Sequence, residues 1–169
     1  YWATAVVASL LMFSSLLAHE LAHSLVARAR GFAVAGITLF VLGAVSNLKT
    51  EPDRARDEFV ILAVGPLTSL LLAAVFGVAA LGFLGGTTPA AAVVWYLMLI
   101  NVVLAAFNLL PAYPLDGGRV LRSTIWAITG NLSRATRVAT LGGQAFGVLL
   151  MALAVAYLML SNLVGGLMI

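Results

Sequence analysis

Residues Tyr1 to Ala18 contain no charge, and after His19-Glu20 apolar or small residues resume from Leu21 to Ala27 before Arg28. About 20 predominantly apolar residues suffice to cross a bilayer. The pattern therefore predicts a first helix over Trp2–Ala29, stopped at Gly31, with Arg28 and Arg30 where cations favour a helix C-terminus. Phe32–Leu48 is apolar but broken by glycine. Within it Gly36–Gly43, rich in β-branched and aromatic residues, reads as a short strand or hairpin. Lys49–Glu58 is the one charge-dense stretch, and Asp53 is expected to cap or open the next helix. A second helix is predicted over Arg54–Leu84. It contains Gly65-Pro66, kinked by the proline and open at the glycine to close approach by a neighbour. Gly85–Pro89 reads as a tight turn. A third helix runs from Ala90 to Leu110, Pro111–Asn131 reads as a loop plus a short helix, and a last helix covers Ser133–Ser161, where Gly143 and Gly147 suggest helix packing.

Composition narrows the class. Hydrophobic residues make up 63% of the chain and charged residues 9%, against roughly 25% charged in soluble domains. The expected fold is an all-α polytopic membrane protein with about four transmembrane helices. It adds a β-like hairpin between the first two helices and a broken helix-loop after the third. The absence of cysteine excludes a disulfide framework and a thiolate metal site. All nine basic residues fall between the first and second helices or between the third and last. By the positive-inside rule both connections are cytoplasmic, so the net charge of +3 reflects topology and implies no nucleic-acid partner.

The chemistry sits where the hydrocarbon-like sequence is interrupted. Both histidines belong to one pentapeptide, His19-Glu20-Leu21-Ala22-His23. Ionisable groups at membrane depth are costly and mark function by default. Residues at i and i+4 share a helix face, so both imidazoles can reach one zinc ion, while Glu20 falls beside it as a base for a bound water. The site lies about 13 Å from Arg28 at 1.5 Å per residue, nearer the cytoplasm. A hydrolytic zinc site typically takes a third protein ligand. Glu51, Asp53, Asp57 and Glu58 cluster in the charged stretch, which leaves Asp116, in Pro-x-x-Pro-x-Asp-Gly-Gly, where glycines give the backbone freedom to aim it. An ordinary Asp-Gly turn or a helix N-cap is the competing reading.

His19-Glu20-x-x-His23 in a first helix is followed by Asn108-Leu109-Leu110-Pro111-Ala112-Tyr113-Pro114-Leu115-Asp116-Gly117-Gly118-Arg119. The pair of motifs, with the Gly65-Pro66 step between them, resembles the site-2 protease family of intramembrane zinc metalloproteases. The resemblance implies one Zn2+ per chain held by His19, His23 and Asp116, Glu20 as general base, and Asn108 helping to hold substrate or a developing oxyanion. It implies hydrolysis in or near transmembrane segments of membrane-anchored regulatory proteins, that is, regulated intramembrane proteolysis, in a prokaryotic cell membrane. The expected partners are a transmembrane protein substrate and the lipid bilayer. Gly36–Leu48 is expected to pair with the extended substrate as an added strand. The chain begins at Tyr1, so residues 1–169 are expected to be the protease core of a longer protein. A zinc transporter would need further polar residues on both sides of the site, and the third and last helices offer few. A vestigial scaffold would not need Glu20.

Overall fold

In the structure, a computed structural model, residues 2–40, 43–48, 52–84, 86 and 88–167 are described. The elements are α1 (Trp2–Ala29), β1 (Val34–Phe40), β2 (Gly43–Leu48), α2 (Ala55–Leu81), α3 (Pro89–Asn108), α4 (Asp116–Thr129) and α5 (Leu132–Leu167). The strands pair antiparallel, with Ile37 opposite Ser46 and Thr38 opposite Val45. Val41 and Leu42 of the expected hairpin, Lys49–Glu51 of the charged stretch, and Gly85 and Thr87 of the expected tight turn lie outside the described residues.

Among the described residues four helices, α1, α2, α3 and the Leu132–Ser161 part of α5, are long and apolar enough to cross a membrane. The chain is a multi-pass helical membrane protein, and its packing is inverted relative to a soluble domain. Trp2, Leu71, Val78, Leu99 and Tyr157 are exposed, while His19, Glu58, Ser69, Asn101 and Ser123 are among the largest fully buried side chains. Lipid solvates such an exterior, and polar groups withdrawn from it must find partners inside. Helix α2 is the hub, packed against α1, α3 and α4, while α5 docks on α4. Ala27, Ala73, Ala80, Ala91, Ala105, Ala135 and Ala139 fill the interfaces, where small side chains let backbones approach closely. The Asn101 amide donates to Ser15 Oγ at 3.1 Å and to the Leu97 carbonyl at 2.8 Å, tying α3 to α1 one turn before His19.

Three local expectations change. Helix α2 runs from Ala55 to Leu81, its N-cap position is Arg54 with no side-chain cap, and its first-turn acids are Asp57 and Glu58. Asp53 therefore precedes the helix and is exposed. Gly143 does not serve span-to-span packing. A Cβ there would come 2.7 Å from the Tyr113 carbonyl oxygen, so α5 presses onto the loop before α4, and Gly147 has nothing within 4 Å. The basic residues between α3 and α5 are not all solvated topology signals, because Arg122 is buried and ion-paired with Glu58.

Candidate metal centre

Ser15, His19, His23 and Ala27, four residues apart, form the buried face of α1. The two imidazoles meet edge to face with ring centroids 4.9 Å apart. Each is oriented through Nδ1 by α2. His23 Nδ1 donates to the Ile61 carbonyl at 2.6 Å, and His19 Nδ1 lies 2.9 Å from Ser69 Oγ. Ile61, Gly65 and Ser69 recur every four residues, so one face of α2 meets both rings. Glycine at the centre of that face is a matter of space. A Cβ on Gly65 would stand 2.2 Å from His23 Nε2 and 2.6 Å from His19 Nε2.

Asp116 arrives from α4 as its first residue, the N-cap position being Leu115. Its Oδ2 is 3.1 Å from His19 Nε2 and 3.2 Å from His23 Nε2, and the two Nε2 atoms are 3.3 Å apart. The side chain is thus neither a helix cap nor a free turn residue. Gly117 and Gly118 are helical, and what requires them is crowding rather than conformational freedom. A Cβ on Gly117 would meet the Leu109 carbonyl at 2.4 Å, and one on Gly118 the Tyr113 nitrogen at 2.3 Å. The glycines let the first turn of α4 lie against the loop backbone, which brings Asp116 inward.

The donor set fits a metal. A carbonyl can only accept, so His23 Nδ1 carries the hydrogen and the neutral ring offers a lone pair at Nε2. That lone pair, the facing His19 Nε2 and the Asp116 oxygen would repel unless a cation sits among them, either a proton on an imidazole or a metal ion. Burial raises the Asp116 carboxyl, yet hydrogen bonds and charge from His19 and His23 outweigh it and lower the group to about 2. A tetrahedral ion with ligands at about 2.0–2.1 Å separates its ligand atoms by about 3.3 Å. The observed edges of 3.1, 3.2 and 3.3 Å match.

Of the residues singled out in the sequence, the structure gathers His19, His23 and Asp116. Glu20 is half-buried on α1 beside His19. Asn108, the last residue of α3, is half-buried and donates its amide to the Leu104 carbonyl at 3.0 Å, within its own helix. Sequence reasoning missed Ile61 and Ser69 as orienting partners. The four-residue spacing of Ile61, Gly65 and Ser69 was the available signal. It also placed Glu58 with the loop acids, whereas Glu58 is fully buried against Arg122.

The model of peptidase family M50 matches residues 7–91 and 86–153. The chain is 41% identical over 168 residues to Rip3 of Mycobacterium tuberculosis, covering 98% of this chain and 43% of that protein. It is 32% identical over 151 residues to a zinc metalloprotease of Methanocaldococcus jannaschii, covering 89% of this chain and 42% of that protein. The chain thus spans less than half the length of either relative. The solved structure of the site-2 protease from Methanocaldococcus jannaschii superposes with a TM-score of 0.70 at 29% identity, covering 94% of this chain and 70% of that one. With the family model matched across residues 7–153 and the helices superposing on that structure, the chain belongs to peptidase family M50, the family of the site-2 protease.

Proposed function

We propose that this chain is the core of an intramembrane zinc metalloprotease that hydrolyses peptide bonds in or near transmembrane segments of membrane-anchored regulatory proteins. The observation that carries the reading is the convergence of His19 Nε2, His23 Nε2 and Asp116 Oδ2 at about 3 Å, with the His23 ring fixed by its Nδ1 bond to α2. These residues hold one zinc ion, in keeping with the zinc metalloproteases among the relatives. Zinc, when bound, polarises the scissile carbonyl and acidifies the attacking water. Glu20, adjacent to His19, takes the proton from that water and returns it to the leaving amine. Asn108, at the end of α3, holds substrate or the developing oxyanion once its amide turns from the Leu104 carbonyl. Among the described residues the sheet has two strands, and the β1–β2 pair pairs along its edge with a substrate segment drawn out as a strand. The α1–α2 and α3–α5 connections face the cytoplasm.

The test is cleavage of a transmembrane substrate by the intact protein in nanodiscs. Glu20→Gln should keep the metal and reduce the rate by about 10²–10⁴-fold, because it removes the base without removing a ligand. A substantially retained rate would exclude Glu20 as the base.

A further inference from the structure

A second buried polar cluster lies next to the metal centre. Glu58, in the first turn of α2, is 1% exposed and Arg122, on α4, 5%. Glu58 Oε1 accepts from Arg122 Nε at 2.9 Å and also from Arg122 Nη2, while Arg119 Nε stands 3.6 Å away. The Arg122 guanidinium lies 5.9 Å from the centre of the Tyr113 ring, in the loop that leads to Asp116. Among the described residues, Glu58 Oε2 and Arg119 Nε have no hydrogen-bond partner. Arg122 therefore carries the cluster, and Arg119 is its weaker half.

Stability alone does not account for such a cluster. Replacing a buried ion pair with apolar side chains of similar shape is often neutral or stabilising, and the best-attested use of such pairs is to fix register. The placement here suggests what is registered. Glu58 precedes Ile61, whose carbonyl orients His23, by about one turn of α2. Arg119 and Arg122 follow Asp116 by about one and two turns of α4. The ion cluster thus joins the helix that orients both imidazoles to the helix that carries the carboxylate. No side-chain cap fixes the start of α4.

We propose that Glu58 and Arg122, with Arg119 in support, are positioning residues: an ionic clasp between α2 and α4 that sets the reach of Asp116 toward His19 and His23. The inference rests on the metal-centre reading above. An apolar contact would let α4 slide or rotate on α2, whereas two charge-assisted bonds from Arg122 converging on one carboxylate oxygen hold the two helices at that point. None of the three belongs to the His19–His23–Asp116 donor group, so the clasp acts through Asp116.

The test measures zinc affinity of the intact protein in nanodiscs, by competition with a chelator, beside its thermal stability. The paired substitution Glu58→Leu with Arg122→Met removes the clasp and leaves only Arg119, the more exposed of the two arginines, without its anion. It should lower zinc affinity by about 10–100-fold, the range for residues that orient ligands, while leaving the melting temperature near the unsubstituted value. In an Asp116→Ala background the same pair should change affinity by less than about twofold, because no carboxylate remains to be positioned. Unchanged affinity in a folded paired variant overturns the clasp, as does an equal loss in both backgrounds, which would mark general damage. If the paired variant does not fold, Arg122→Lys takes its place. It keeps the charge but loses the fork, and should cost about tenfold in affinity where a structural role predicts none. An unsubstituted protein that binds no zinc overturns the metal centre itself, and the clasp with it. Zinc binding that is insensitive to the clasp overturns the clasp alone.

Discussion

Gly65→Ala is the sharpest test of the proposed centre, because it adds one methyl group where the structure leaves no room. The new carbon would stand 2.2 Å from His23 Nε2, 2.5 Å from His23 Cε1 and 2.6 Å from His19 Nε2. Carbon contacts prefer roughly 3.5–4.0 Å, so a gap of about 1 Å must open. The rings cannot retreat without breaking their bonds to Ile61 and Ser69, both on the helix that carries the added methyl. If α2 withdraws instead, it drags those partners along. Metal–ligand distances tolerate about 0.2 Å, and the methyl itself would crowd both Nε2 atoms, which would hold the ion. Zinc affinity should fall by at least about 100-fold, with an overpacking cost of about 1–3 kcal/mol in stability. Metal content of the purified intact protein, chelator competition and a thermal melt read the two effects separately. Gly147→Ala is the control, since nothing lies within 4 Å of the added carbon. Alanine in a helix interior is favoured over glycine by about 0.5–1 kcal/mol, so this variant should melt slightly higher and bind metal normally. A Gly65→Ala protein that holds zinc at unsubstituted affinity would refute the packing of α2 on the imidazoles and the site built from it.

Asp116→Ala should lower zinc affinity more than any orienting substitution, since two imidazoles alone are a poor zinc site. Asp116→His should recover part of the binding but little activity, and chelator titration of the three proteins decides it. Acidification should release the metal as protons compete for the imidazoles. The Asp116 carboxyl, lowered to about 2, keeps its full contribution above its ordinary value of 3.8 and loses it only as pH falls toward about 2. A metal-release curve that tracks carboxylate rather than imidazole titration would contradict this order. The chain has no cysteine, so Asp53→Cys and Gly86→Cys, both at exposed positions, can report sidedness. The first should label only from the cytoplasmic face and the second only from the opposite one, and the reverse pattern would overturn the orientation.

The sequence determined the spans and the histidine pair because both are local. Long uncharged runs are helices in lipid whatever their neighbours do, and the bounds Trp2–Ala29 needed no tertiary information. The i,i+4 spacing likewise put His19 and His23 on one face before any packing was known. Asp116 was legible only through competition among acids and family resemblance, since nothing local in an Asp-Gly-Gly segment distinguishes a ligand from a turn. Tertiary structure decided the rest. Gly65, Gly117 and Gly118 are required by what lies opposite them, the imidazoles and the 109–113 backbone, which no local rule can see. Glu58 looked like one more loop acid, because charge density along the chain says nothing of depth. Its partner, Arg122, lies 64 residues away and meets it only when α4 folds back on α2. The fixing of His23 through its Nδ1 rests on the Ile61 carbonyl, and a backbone oxygen has no signature in sequence. Periodicity records which residues share a face, and only the packed helices decide what that face meets.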